Sequence, residues 1–359
     1  MGAIFVTGGS GLIGRRVLAL LAESRAPKAE SRAPRAESRV YALSRQRQQS
    51  GDVLWIDGDL MCDGLALSRE HRQVLARDVT TVVHIAANTM FSQTIEQARA
   101  INTEGTRRLL ELSSSWPRVS RWVYVSTAFV AGLRTGRIVE ADDPSLHCVN
   151  PYEQSKGEAE RLVRSARHDW TIVRPATIVC DDASGSITQY NAVHRALRLY
   201  FGGLAAMMPG TDESRVDVIT NEYAAHGVAL AATSPDVQRR TLHLCAGDGA
   251  MPLDELLDTT YEAFRRSPQW SRKGIVRPIR ADLETYRLFE RAAFDAGSDK
   301  VKQALRSLGH FVPQLAYPKT FDTSLADTLL GPAARVSDFW LSMVEHLVGH
   351  TAPPQKEAA

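Results

Sequence analysis

The chain has 359 residues, of which 44% are hydrophobic and 23% charged, with a formal net charge of +2. This composition excludes a disordered chain and gives no signal for nucleic acid or an anionic membrane surface. The length fits one large or two coupled domains. Cys62, Cys148, Cys180 and Cys245 form no C-x-x-C pair, so neither a zinc nor a redox site is expected, and a reduced, cytoplasmic setting fits. The opening Met1 to Thr7 has no basic start followed by a signal-peptide core, and Val6 stands where myristoylation prefers Ser or Thr. No apolar run reaches the roughly 18 residues that span a bilayer. No membrane insertion is expected.

Ala3-Ile4-Phe5-Val6 reads as a strand and ends in Thr7-Gly8-Gly9-Ser10-Gly11-Leu12-Ile13-Gly14. Val17, Leu18, Leu20 and Leu21 then mark an amphipathic helix. Strand, glycine turn and helix together indicate a dinucleotide site built on Gly8, Ser10, Gly11, Leu12 and Ile13. Gly8 and Gly11 let the backbone approach a pyrophosphate, Gly14 lets the helix pack on the sheet, and the helix N-terminus offers free N–H groups. Residues 22–39 repeat the unit AESRAPK, and Pro27 and Pro34 forbid a continuous helix there, so an exposed inserted loop is expected.

Arg39 to Leu43 reads as the second strand and ends in Ser44-Arg45, with Arg47 close by and no acid. A carboxylate there suits the ribose hydroxyl of NAD, whereas a basic group suits the phosphate of NADP. Ser44 and Arg45 therefore point to NADP(H), and Arg15 and Arg16 are expected to face the same region. Val53 to Ile56 is a third strand. Just past it, the carboxylate of Asp59 is placed to accept from an adenine amino group and the N–H of Leu60 to donate to the ring. Residues 80–88 form a buried strand ending in Ala86 and Ala87, small enough for a cofactor to lie against the backbone. His84 within it is read as a structural group. Residues 93–115 carry a helical pattern interrupted by Asn102 and Gly105, with Asn102 expected to bridge backbone groups.

Arg121 to Val125 is a fifth strand, and its end presents Ser126 and Thr127 to the cleft beyond the strands' carboxyl ends. Asn150-Pro151-Tyr152-Glu153-Gln154-Ser155-Lys156 opens the next helix. Tyr152 and Lys156 lie one turn apart on one helical face, where an ammonium favours the phenolate over the phenol. Such a tyrosine can exchange a proton with a carbonyl oxygen. Trp170 to Val173 is a sixth strand, closed by Arg174-Pro175-Ala176-Thr177. The alternation of strands and helices predicts an α/β fold with a parallel sheet covered on both faces.

Taken in order, the glycine turn, Ser126-Thr127, Tyr152-x-x-x-Lys156 and Arg174-Pro175 resemble those of the extended short-chain dehydrogenase/reductases over roughly residues 3–245. The finer resemblance is to the thioester-reductase and fatty acyl-CoA reductase branch. It is carried by Gly58-Asp59-Leu60, by NTEGTRRLLEL from Asn102, by Val125 to Gly132, by NPYEQSKGEAE from Asn150, and by Pro209-Gly210 before Val216 to Ile219. Thr220-Asn221-Glu222-Tyr223 departs from that branch. The resemblance implies a Rossmann-type doubly wound parallel sheet with a smaller C-terminal substrate-binding lid: residues 1–177 as the NADP-binding core and 178–359 mainly as the substrate region. It implies that Thr127 binds the substrate carbonyl, that Tyr152 donates a proton, and that Lys156 binds the nicotinamide ribose and lowers the tyrosine's pKa. Pro175 and its neighbours, with Thr177, line the nicotinamide. Ser126 is the alternative hydroxyl.

The implied activity is NADPH-dependent reduction of a carbonyl, foremost an acyl thioester on coenzyme A or a carrier protein, to aldehyde or alcohol. A ketone or 3-oxoacyl reductase, a hydroxysteroid or sugar-nucleotide enzyme, and a non-catalytic NADP-binding protein stay open, as does a homodimer. In the C-terminal half, Asn191 to Leu204 has helical spacing with His194, Arg195 and Arg198 read as solvated charge. Arg240 to Cys245 reads as a strand, Leu253 to Phe264 and residues 281–308 as helical, His310 to Pro318 as extended, and Ser337 to Leu347 as the last helix.

Overall fold

The computed structural model describes residues 2–24, 39–46, 48, 52–141, 143–267, 270, 276–309 and 312–349. Most of the 22–39 repeat, Arg47, residues 271–275 of the Trp/Arg/Lys loop, His310 and the tail from 351 lie outside the described residues. Seven strands form the central sheet: β1 (Ala3–Thr7), β2 (Val40–Ser44), β3 (Val53–Asp57), β4 (Val79–His84), β5 (Arg121–Val125), β6 (Asp169–Pro175) and β7 (Arg240–Leu244). Their order is β3-β2-β1-β4-β5-β6-β7, and every neighbouring pair is parallel. The chain reverses its direction of winding between β1 and β4. In an open parallel sheet, that switch point opens a crevice at the strands' carboxyl ends.

Strand periodicity of two divides each strand between two apolar layers. On β1, Ile4 and Val6 pack with Val17, Leu18 and Leu21 of α1 (Leu12–Glu23), together with Ala224 and Val228 from Asn221–Thr233. Ala3 and Phe5 face the other way, onto Leu75 of α2 (Arg69–Asp78) and Leu109, Ala159 and Val163 from two further helices. The helical pattern over 93–115 resolves into α3 (Ile95–Asn102) and α4 (Glu104–Ser114), broken at Thr103. The Tyr152/Lys156 helix is α5 (Pro151–Arg164).

The C-terminal half contributes α6 (Ala192–Phe201), α7 (Asn221–Thr233), α8 (Leu253–Arg265), α9 (Leu283–Ala296), α10 (Asp299–Leu308), α11 (Ser324–Leu330) and α12 (Val336–Gly349). The stretch 281–308 is two helices, because the backbone turns extended at Gly297 (φ −80°, ψ 157°) and at Ser298 before the second begins. The stretch expected to be extended before Pro318 is instead a 3-10 turn over Val312–Ala316, whose Val312 is buried. A third apolar cluster gathers Tyr200, Phe201, Phe264, Trp270, Trp340 and Met343 from these elements. Among the described residues, no helix is long and apolar enough to cross a membrane.

Candidate active site

The seven strands of the central sheet all run in one direction, so the sequence motifs at their ends gather along one edge of the sheet. Gly8 follows β1, Ser44 closes β2, Asp59 and Leu60 follow β3, Ala86 and Ala87 follow β4, Thr127 follows β5 and Pro175 closes β6. Thr177 begins the short strand Thr177–Cys180 just beyond.

The glycine turn is shaped by contacts that admit no side chain. Gly8 has φ +76°, and a Cβ on it would lie 2.5 Å from the Ala86 nitrogen. A Cβ on Gly14 would lie 2.1 Å from the Gly8 carbonyl oxygen. Gly11 heads α1 with no side-chain cap and no acid in the first turn, leaving the helix N-terminus free for an anion. Ser10 and Gly11 are exposed, with Leu12 and Ile13 partly buried behind them. This cradle fits the pyrophosphate of a dinucleotide. Asp59 holds the turn after β3 by accepting from the Met61 N–H at 2.9 Å.

Arg45 is exposed immediately beyond Ser44, whose hydroxyl donates to the Gln46 carbonyl at 2.7 Å. Arg16 does not join it. Its guanidinium pairs with Glu222 at 2.6 Å because α1 packs along α7, and there the stretch 220–223 also sends Asn221 Nδ2 to the Leu12 carbonyl at 3.2 Å. The unusual 220–223 sequence therefore ties α7 to the glycine-turn helix.

The two candidate hydroxyls at the end of β5 have separate partners. Ser126 is buried and donates to Glu160 Oε2 at 2.8 Å, and the same carboxylate accepts from Arg174 Nε at 3.2 Å. Glu160 and Arg174 are both essentially fully buried, so the Arg-Pro motif supplies an ion pair that joins β6 to α5. Thr127 is left for the cleft. It heads the 3-10 turn Ala128–Ala131, its Oγ1 accepting from the Phe129 N–H at 3.3 Å, and it lies close enough to the Tyr152 phenol to lower that group's pKa. Phe91, in the loop after β4, packs edge-on against the Tyr152 ring with centroids 5.4 Å apart.

The electrostatics differ from the sequence expectation. Burial pushes the Tyr152 phenol up to about 12, and the Thr127 hydrogen bond draws it part of the way back. Lys156 directs its Nζ to the Val125 carbonyl at 2.6 Å and lies 4.2 Å from the centre of the Tyr124 ring. Its own pKa is lowered to about 7 by burial, against the opposing pull of Glu160. In the cofactor-free protein the lysine is thus engaged by the end of β5, and desolvation sets the phenol.

A buried polar chain supports the helix that carries both residues. His84 bonds Thr7 Oγ1 at 2.6 Å and Thr106 Oγ1 at 2.9 Å, and burial lowers its pKa to about 3. It is a neutral structural group. Asn102 accepts from the Asn88 N–H at 2.7 Å and donates to Ser155 Oγ at 2.9 Å, bridging β4's end to α5. His194 is also structural: the α6 terminus donates to its Nδ1 from the Asn191 N–H at 3.0 Å, so it does not belong to a solvated basic strip.

Sequence reasoning missed Glu153. It is buried, accepts from the Val149 N–H at 2.9 Å and from Asn150 Nδ2 at 2.9 Å, and has its pKa raised to about 7 by desolvation. The signal was present as a capping pair, Asn150 three residues before Glu153.

The chain matches the family model described as male sterility protein over residues 6–228. It is similar to the fatty acyl-CoA reductase wat of Drosophila melanogaster, 28% identical over an aligned length of 142 residues, with 35% of this chain and 28% of that protein covered. It is also 27% identical over 267 residues to the nonribosomal peptide synthetase inpA of Emericella nidulans, covering 65% of this chain and 18% of that one. The chain therefore matches less than a third of the length of each of these relatives. Among solved structures, it overlays the terminal R domain from the myxalamid PKS-NRPS biosynthetic pathway with TM-score 0.77 at 21% identity, covering 99% of this chain and 93% of that chain. At that identity the likeness is one of fold. With more than half of its residues inside the family model, the chain belongs to the NAD-binding family described as male sterility protein.

Proposed function

We propose that the chain is an NADPH-dependent reductase whose substrate is an acyl thioester on coenzyme A or a carrier protein. The observation that carries this reading is the placement of Thr127, at the end of β5, next to the Tyr152 phenol on α5, at the same sheet edge as a glycine cradle open to a pyrophosphate. Fatty acyl-CoA reductase and peptide-synthetase relatives support a thioester as the carbonyl.

Gly8, Gly11 and the first turn of α1 would hold the pyrophosphate, Asp59 and Leu60 the adenine, and Ala86, Ala87, Pro175 and Thr177 the nicotinamide side. Arg45 beyond Ser44 supports the phosphorylated cofactor, since its guanidinium suits a 2′-phosphate. When bound, NADPH supplies the hydride. Thr127 donates a hydrogen bond to the thioester oxygen and polarises the carbonyl. Tyr152, kept protonated at neutral pH by burial, gives its proton to that oxygen as negative charge develops there. Lys156 would bind the nicotinamide ribose. The resulting hemithioacetal loses thiol, so the balance is thioester plus NADPH plus a proton giving aldehyde, free thiol and NADP⁺. The third apolar cluster supports a substrate lid built from residues after Thr177.

The test is incubation with NADPH and a medium-chain acyl thioester, an aldehyde or a 3-oxoacyl thioester, with product identification. Free thiol with aldehyde or alcohol supports the reading. A 3-hydroxy product with its thioester intact replaces it with a ketone reductase. Arg45→Asp tests the cofactor, with preference expected to move toward NADH; an unchanged preference removes Arg45 from the cofactor site.

A further inference from the structure

One segment near the C-terminus grips both turns that carry the reacting hydroxyls. Gln314, in the 3-10 turn Val312–Ala316, donates from Nε2 to Glu153 Oε1 at 2.7 Å. Lys319, at the start of the short strand Lys319–Phe321, donates from Nζ to the Gly132 carbonyl at 2.6 Å and to Gln314 Oε1 at 2.9 Å. Gly132 ends the turn that Thr127 begins. Glu153 is the residue after Tyr152. A continuous line of hydrogen bonds therefore runs from the Thr127 turn through Lys319 and Gln314 to the first turn of α5.

Both ends of this line are rigid. The Gly132 turn is tied to the 145–147 stretch by the Leu133 N–H donating to the His147 carbonyl at 3.0 Å and the Ser145 N–H donating to the Val130 carbonyl at 2.7 Å. Glu153 is 1% exposed and is fixed by the Val149 and Asn150 donors as well as by Gln314. The segment itself is anchored by parallel pairing of Lys319–Phe321 with Gly136–Ile138 and by the Gly136 N–H donating to the Pro318 carbonyl at 2.9 Å. Burying a lysine and a glutamate is costly unless hydrogen bonds compensate. Here those bonds connect three stretches of chain far apart in sequence.

We propose that Gln314 and Lys319 are positioning residues that fix the spacing between the Thr127 and Tyr152 hydroxyls. Neither touches a reacting atom; each holds one of the two turns against the other. The kinetic part of this inference rests on the reductase reading above. A hydrogen-exchange arm is independent of it.

Gln314→Leu and Lys319→Met are compared with Lys319→Arg, which keeps a donor for Gly132, on whichever carbonyl substrate the wild-type protein reduces. The expected result is a fall in kcat of about 10- to 100-fold in the first two, with KM and NADPH affinity within about twofold, and most of kcat restored in the arginine variant. Amide exchange on the cofactor-free proteins should quicken in residues 127–133 and 150–156 of the first two variants while residues 3–24 stay unchanged. Gln314→Glu, which sets a second acid against Glu153, serves if the leucine variant does not fold. Unchanged kcat in folded variants overturns the proposal, and so does unchanged exchange in the two turns. If the wild-type protein reduces no carbonyl, the reductase reading fails separately and the exchange result alone decides whether the segment couples the turns.

Discussion

Two adjacent hydroxyls at the end of β5 have opposite fates, and their partners decide which is chemical. Ser126 is committed to the buried Glu160, while Thr127 meets the Tyr152 phenol. Thr127→Val should therefore lower kcat with little change in unfolding free energy. Ser126→Ala should instead destabilise by about 1–3 kcal/mol, the cost of leaving a buried acceptor short of a donor. Urea unfolding and steady-state kinetics on both variants check this; the reverse pattern would exchange the two roles. Tyr152→Phe should reduce turnover by about 10²- to 10⁴-fold, the range of general acid catalysis, while NADPH still binds in titration. Lys156 carries a pH signature. Its pKa falls from 10.5 to about 7 on folding, so the folded state holds the proton less tightly than the unfolded chain. The resulting cost is complete below about pH 7 and fades as pH rises toward the unfolded value. Lys156→Met removes that term. Without cofactor, its stability relative to wild type should be most favourable near pH 6 and decline toward pH 10. A difference independent of pH would contradict the burial argument.

At the scale of elements, the glycine turn and the β6–α5 junction are the two places where small changes have large effects. Gly8→Ala places a Cβ against the Ala86 nitrogen in a left-handed conformation. It should cost about 1–3 kcal/mol of stability and abolish NADPH binding, read by thermal unfolding and fluorescence titration. Arg174→Leu leaves the fully buried Glu160 with Arg164, at 3.1 Å, as its remaining cation. A loss of about 1.5–3 kcal/mol is expected, the worth of a hydrogen-bonded charge, with part regained when Glu160→Leu is added. If the double variant is no more stable than the single one, the charge is not what destabilises. These elements were legible because local pattern reports them: glycines need positive φ, strands alternate or run apolar, and Asn-Pro opens a helix. Arg16 was misplaced for the converse reason. Its partner Glu222 is 206 positions away, and nothing beside Arg16 in the sequence announces it.

Across the whole molecule, the sheet and the Thr127–Tyr152–Lys156 grouping follow from motifs in chain order, since parallel strands bring successive strand ends to one edge. The C-terminal half was harder to read. The turn Val312–Ala316 is short and apolar, a pattern that serves an extended segment as well as a 3-10 turn, and only burial of Val312 against the third cluster decides between them. Gln314 and Lys319 look like ordinary surface polar residues in sequence; only the folded chain sets them against Glu153 and Gly132. On the function proposed above, this architecture delivers a hydride and a proton to a thioester. The most direct test of that function is a single-turnover reaction of the purified chain with NADPH and a medium-chain acyl-coenzyme A, measuring free thiol and aldehyde together. One free thiol is expected for each NADPH oxidised when the product is aldehyde, and for every two when it is alcohol, with thiol and product both lost in Tyr152→Phe. NADPH oxidation without thiol release, or thiol release that persists in Tyr152→Phe, would contradict it.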